Sequence, residues 1–368
     1  VFWISPTAGP QNISVQIFPD GTDNSLRITG GTLAGYLETR DYKIGEYRSR
    51  LDAFAKTLAW EVNRLHSQGA GLEPFSSMYG AYSVGNTNVP LGSPEARFTW
   101  SDKLQAGNMT FAVYDSQGNA IELDSQGNAI ELDGDGLKVF SNLPPNGNFD
   151  PTVHSLQDVM NAINDKGNET SQYMRADIVH GKLQITAMLN PKDKDKDNNP
   201  LPYSFAITDD TTGLAAALGI NTFFTGDSAA DIGVRGELSI NLNQINAGRL
   251  DGQGQINEGD NQTAREIAAL AGKGVDIKTA WNHKTRQTIG DYYATLVTRA
   301  GADTQSCKFT AGAETAMAQE LYVRQEEISG VNLDEEMSSL IKFQASYKAA
   351  AKLITTADEM LQTLLSLK

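Results

Sequence analysis

Cysteine is almost missing from this chain: Cys307 stands alone among 368 residues, so no disulfide can close within it and no thiolate cluster can hold a metal. No apolar run approaches the roughly 20 residues that a membrane-crossing helix requires. Positive charge is scarce as well. Thirty Lys and Arg against 45 Asp and Glu leave a net charge of -15, with no basic stripe, which argues against nucleic acid and against an anionic membrane as partners. The four histidines, His66, His154, His180 and His283, form no pair at metal-ligand or triad spacing. A Gly-x-Ser-x-Gly elbow, a phosphate-binding Walker loop and a dinucleotide fingerprint are all absent. Gly272-Lys-Gly274 is too short to cradle a phosphate and reads as a helix end. Adjacent carboxylates such as Asp209 with Asp210, or Glu335 with Glu336, carry no weight as acid and base in so acidic a chain. No catalytic, cofactor-binding or metal-ligating residue is assigned, and the expectation is a protein that is not an enzyme.

What is present is ordinary for a folded protein, with 40% hydrophobic and 20% charged residues, in a chain long enough for two or three domains. It opens on Val1-Phe-Trp-Ile-Ser-Pro6, with neither an initiator Met nor a charged leader ahead of an apolar core, and reads as a fragment whose N-terminal part has been removed.

The organisation follows from periodicity. Residues 1–30 alternate as strands do at Ile13, Val15 and Ile17 and again at Leu26 and Ile28, and read as the end of a β element. From Thr32 to about Gln68 the apolar residues recur at helical spacing, within a first bundle segment at 31–85. Residues 86–235 shift to Gly, Asn, Asp, Thr and short β-rich runs at Arg97–Thr99, Met109–Tyr114, Leu183–Ala187 and Tyr203–Ile207, with short helices at Leu156–Ile163 and Leu214–Leu218. This is an inserted β-rich domain or pair of domains. Helical periodicity returns over 236–330, at Ala264–Ala271 and Ile289–Ile328. The expected class is therefore α+β: an elongated multidomain chain, an antiparallel bundle of long helices with the β-rich insert projecting from one end.

The last segment, 331–368, is the most informative. Leu333, Met337, Leu340, Phe343, Tyr347, Ile354, Leu361 and Leu364, with Ala350 and Ala357 between them, step by threes and fours and form one apolar stripe without Gly or Pro. Ser329-Gly330 breaks the preceding helix, Asn332 is placed to cap the new one, and Asp334, Glu335 and Glu336 suit its positive end. Such a helix is marginal alone. It is expected to be frayed, disordered or packed on a copy of itself, and the stripe is assigned to subunit and chaperone contact.

Two local patterns invite other readings. The nonapeptide Asp115–Leu123 recurs identically as Asp124–Leu132, followed by Asp133-Gly-Asp-Gly136, and reads as a duplication within a hairpin, each Ser-Gln-Gly-Asn a turn and each Ala-Ile-Glu-Leu a strand. Asp193, Asp195 and Asp197 have the opening spacing of a calcium loop, yet Asn198 replaces its glycine and Ser204 its closing glutamate. These acidic turns motivate an alternative function, a secreted calcium-dependent adhesin or glycan-binding module.

Three segments resemble the FlgK family of flagellar hook-associated proteins. The first is Gly30-Gly-Thr-Leu-Ala-Gly-Tyr-Leu-Glu-Thr-Arg-Asp41, continued by Leu51-Asp-Ala-Phe-Ala-Lys-Thr-Leu-Ala-Trp-Glu-Val-Asn63 and His66. The second is Gly259-Asp-Asn-Gln262 with the helix after it. The third is Ser329-Gly-Val-Asn-Leu-Asp-Glu-Glu336, then Phe343-Gln-Ala-Ser-Tyr347 and the Ala-rich tail; hook and rod proteins share it in looser form. The resemblance covers the helical flanks and not the insert. It implies a structural subunit of the bacterial flagellum, secreted through the type III export apparatus and located outside the cell at the hook–filament junction. Its terminal helices would form a coiled-coil inner tube, the closing helix pairing with an N-terminal helix that this sequence lacks. The implied partners are identical subunits, the hook protein, the next junction protein and an export chaperone at the closing helix.

Overall fold

The computed structural model describes residues 31–123, 129–130, 137–140, 143–144, 147–166, 169–251, 254–279, 284–329 and 332–367. The β element expected over 1–30, the second nonapeptide turn, the Asp133–Gly136 run and His283 lie outside them. The chain divides into two units, Val1–Leu296 and Val297–Lys368.

The first unit begins with helix α1 (Gly31–Glu38), which widens into a π-helical turn at Thr39–Lys43 before α2 (Ile44–His66). The single helix expected from Thr32 to Gln68 thus carries a wide turn, which shifts the phase of its faces. Tyr36, Tyr42 and Ile44 are exposed, whereas the C-terminal half buries Ala53, Ala59, Trp60, Asn63 and His66 at helical spacing.

Beyond α2 the chain builds antiparallel sheet. Strand β1 is Ser77–Tyr79, β2 Met109–Tyr114, β3 Ala120–Leu123, β4 Ala129–Ile130 and β5 Leu137–Lys138. Helix α3 (Leu156–Asn164) starts on a reciprocal cap, in which the Ser155 hydroxyl accepts from the Asp158 N–H and the Asp158 carboxylate from the Ser155 N–H. Strands β6 (Met174–Val179) and β7 (Lys182–Ala187) pair through a two-residue turn, His180-Gly181, both at positive φ. Then follow β8 (Leu189–Lys194), β9 (Pro200–Pro202), β10 (Ser204–Asp210), α4 (Leu214–Leu218), β11 (Phe224–Thr225), β12 (Gly233–Val234), α5 (Gly236–Ile240), α6 (Gln262–Ala269), β13 (Val275–Lys278) and β14 (Lys284–Gln287).

Two sheets carry most of the unit: β1-β7-β6, and β10-β2-β3-β4 with β5 beside β2. All six residues of β2 are buried. Met109, Phe111 and Val113 enter the main core with Trp100, Phe140, Phe149, Leu183 and Phe205, while Ala112 and Tyr114 lie under Leu250 and Ile256. The Tyr114 hydroxyl donates to the Gly254 carbonyl at 2.6 Å, which pins that outer loop over the strand.

Arg97–Thr99 is not a strand. Arg97, at φ 48°, caps the short turn Pro94–Ala96, and only Phe98 of that run is buried. The other three β-rich runs are strands, two within a residue of the expected bounds and the third, β10, running on three residues to Asp210. Leu156–Ile163 and Leu214–Leu218 are helices.

The helical flanks meet around α2. Val62 and Leu65 pack with Leu270, Ile267 and Phe223, and Ala53 packs with Val275, Ile277 and Tyr292. Trp60 belongs to the main core, so α2 and the β-rich region share one hydrophobic interior.

Helix α7 (Ile289–Ser329) starts in this unit, its first turns placing Tyr293 against Phe54 at 5.5 Å. The second unit consists of the rest of α7 and α8 (Leu333–Ser366). With its long closing helix and antiparallel sheets, the chain is α+β.

Candidate assembly surface

Helix α8 forms without a break over its 34 residues. Its start is chemically specified. The Asn332 side chain accepts from the Asp334 N–H at 3.0 Å, the Asn332 carbonyl accepts from the Glu336 N–H, and three carboxylates occupy the first turn.

No described residue of α8 is buried. Leu340 is 56% exposed, Phe343 75%, Ile354 70% and Leu361 58%, and Leu333, Met337, Tyr347 and Leu364 are equally open. All eight residues of the expected stripe therefore lie exposed on one unbroken helix. From Leu340 onward the spacing is stricter than an amphipathic face requires. Leu340, Phe343, Tyr347, Ala350, Ile354, Ala357, Leu361 and Leu364 alternate steps of three and four, a seven-residue repeat held to the end of the helix. An average step of 3.5 residues against 3.6 per turn keeps this seam facing a partner only if the helices wind left-handedly around each other. Ala350 and Ala357 let a partner backbone approach closely at two levels of the seam.

A second arrangement went unread in the sequence: a buried polar seam at the C-terminal end of α2. Asn63, 1% exposed, accepts from the Phe223 and Phe224 N–H groups at 3.0 and 2.8 Å and donates to the Phe224 carbonyl at 2.9 Å. One turn on, His66 Nδ1 lies 2.9 Å from the Asn221 carbonyl, while Nε2 accepts from the Asn246 N–H at 3.1 Å. Those partners define the neutral Nδ1-protonated ring. Burial pushes its pKa down from 6.5 to about 4, and the Arg235 charge acts in the same direction. The Asn246 amide also donates to the His66 carbonyl. Asn63 and His66 close the first segment of family resemblance, so their position there has a structural reason: they bind α2 to segments at 221–224 and 246, more than 150 residues away.

The acidic turns are hairpin tips. Asp115 accepts from the Gln117 and Asn119 N–H groups and from the Asn119 amide, with Gly118 at φ 84°. Asp195 makes the same three bonds to Asp197 and Asn199, with Asn198 at φ 63° in the glycine's place. Asp193 accepts from the N–H and hydroxyl of Ser116, tying one tip to the other. These carboxylates are committed to turns, and among the described residues no three acidic, His or Cys side chains are gathered as a cation would need. The first nonapeptide is the expected turn and strand, and β3 pairs with β4 in the second copy. The calcium-dependent alternative finds no support.

Among the described residues of the first unit lie two open clefts. One, of about 900 Å³, lies beside the β6–β7 turn over Tyr82 and Arg235; the other, of about 970 Å³, lies between α2 and the β13–β14 hairpin. Among the described residues no helix is long and apolar enough to cross a membrane.

Comparison with known proteins places the two ends of the chain. Residues 324–367 match the family model for the flagellar basal body rod FlgEFG protein C-terminal region, and residues 4–77 match that for the flagellar hook-associated protein FlgK helical domain. The chain is 28% identical over 142 residues to flagellar hook-associated protein 1 of Salmonella typhimurium, covering 39% of this chain and 24% of that protein. The hook-associated protein 1 of Bacillus subtilis is 33% identical over 108 residues, 29% of this chain and 20% of the relative. That of Escherichia coli is 28% identical over 174 residues, 45% and 30% respectively. The chain thus spans less than a third of the length of the relatives it matches. Over its closing helix the chain is similar to structural proteins of the bacterial flagellum. The helical-domain match and these relatives narrow the likeness: over the matched segments the chain is similar to the FlgK family of hook-associated proteins.

Proposed function

We propose that this chain is a structural subunit of the hook–filament junction, without catalytic turnover, which joins identical subunits through coiled-coil packing of α8 and adapts the hook on one side to the filament on the other. The observation that carries the reading is the seven-residue apolar seam, exposed along its whole length. Burying a large side chain such as Phe343 or Leu361 is worth roughly 1.5–3 kcal/mol, and helical subunits repeating head to tail supply that burial copy after copy. In this reading the β-rich region faces outward, the hook protein and the next junction protein are neighbours, and an export chaperone covers the seam before type III export and assembly outside the cell.

Substituting Phe343→Asp together with Leu361→Asp in the full-length protein tests it. Both side chains are exposed, so the circular dichroism and thermal midpoint of the free subunit are expected to stay unchanged, while incorporation at the hook tip and swimming are lost. Flagella of normal length assembled from the double variant would refute the reading.

A further inference from the structure

In a chain of net charge -15, one surface reverses the sign. The β13–β14 hairpin turns Val275 and Ile277 inward and presents Asp276, Lys278, Lys284 and Arg286 outward. The register sets Arg286 opposite Asp276 and Lys278 directly opposite Lys284. Like charges facing across a strand pair are unfavourable, and the single carboxylate of this face, Asp276, binds Lys284 at 3.2 Å. Among the described residues, Lys278 and Arg286 have no ion-pair partner.

This hairpin is one wall of the 970 Å³ cleft. The cleft also receives Lys103, whose ammonium lies 5.7 Å from the Trp60 ring centre, and Lys273. Its acidic groups are largely occupied. Glu61 pairs with Arg64 at 3.3 Å, and Asp210 is fully buried, its oxygens accepting from Thr212, Gly213 and Ala215. Asp102 and Asp209 remain, against four cations that, among the described residues, have no carboxylate partner.

We propose that this cleft receives the acidic first turn of α8 from a second copy of the chain, with Lys278 and Arg286 binding Asp334, Glu335 and Glu336. The proposal rests on the reading that copies of this chain assemble. Charge complementarity supports it: the three consecutive carboxylates are exposed and, among the described residues, unpaired. The cleft and the acidic turn lie on different units of one sequence. Such a heterologous pair repeats from copy to copy without a second protein. It also sets direction, because a seven-residue seam alone tolerates slippage by whole heptads, whereas a charged contact at one end fixes the register.

Sedimentation of the full chain over a range of concentrations tests this. Lys278→Glu with Arg286→Glu, and separately Glu335→Lys with Glu336→Lys, are each expected to weaken self-association about tenfold or more at low salt. Mixing the two variants, or combining the changes in one chain, is expected to restore most of it. The neutral pair Lys278→Gln with Arg286→Gln, a milder change to the hairpin, is expected to show a smaller loss in the same direction. Leu340→Asp separates this proposal from the assembly reading it builds on. If association is lost with Leu340→Asp but unchanged by both charge reversals, the seam stands and the cleft contact is overturned. A chain that remains monomeric at every concentration, or charge coupling that persists in dilute monomers, overturns it as well.

Discussion

Asn63 and His66 show how much of this fold hangs on two side chains. Each reaches backbone groups that no secondary structure pairs, and removing either leaves buried donors or acceptors that cost about 1–3 kcal/mol apiece. For His66 the consequence is a pH dependence. Its folded pKa of about 4 lies below the ordinary 6.5, so the unfolded chain binds the proton more readily. The stabilisation from the neutral ring is therefore complete above pH 6.5 and is lost as the pH falls toward 4. An imidazolium would direct a second N–H at the Asn246 N–H and stand near the Arg235 charge. The gap between 6.5 and about 4 corresponds to about 3 kcal/mol across that window. Denaturant unfolding at pH 7.5, 5.5 and 4.5 is expected to show the native chain losing stability faster than His66→Gln. Parallel curves for the two proteins would mean that the ring is not held neutral by its surroundings.

Among the elements, helices were the most legible in the sequence and loop-borne contacts the least. The apolar spacing of α3, α4, α7 and α8 is local, and so is the Asn332 cap. The π turn at Thr39–Lys43 contains neither Gly nor Pro and left no mark in the pattern, and the strand expected at Arg97–Thr99 was lost to a left-handed Arg97. The Asn63 and His66 seam was illegible for a different reason: its partners at 221–224 and 246 are set by tertiary packing alone. Hairpin tips fall between these cases. The Asp115 and Asp195 tips use one design, an aspartate accepting from the second and fourth residues on, with a left-handed residue before the last. Gly118 has open space around it, so adding a methyl there meets only the backbone penalty. Gly118→Ala and Asn198→Ala are each expected to cost about 1 kcal/mol, and Asn198→Gly to change stability by less than about 0.5 kcal/mol. Urea midpoints measure all three. A stabilising Gly118→Ala would show that this tip does not need the left-handed conformation.

At the scale of the whole molecule, the two units are built on opposite principles. The first buries an interior shared by α2 and two antiparallel sheets, with β2 covered on both faces. The second is helix whose apolar residues are exposed along nearly its full length. Amide protection follows burial and cooperative packing, so the two are expected to exchange on different scales. In dilute solution the amides of β2 and β10 are expected to exchange only through global unfolding. Those of α8 depend on its own hydrogen bonds and open by fraying and local unwinding, orders of magnitude faster. Raising the concentration until copies associate is expected to slow α8, most strongly over 340–364 where the seven-residue seam runs, and to leave β2 and β10 as they were. Mass-spectrometric hydrogen exchange resolves the two regions in one experiment. Slow exchange of α8 already in the dilute chain would mean that the seam is covered within a single copy, and the case for assembly through α8 would fall with it.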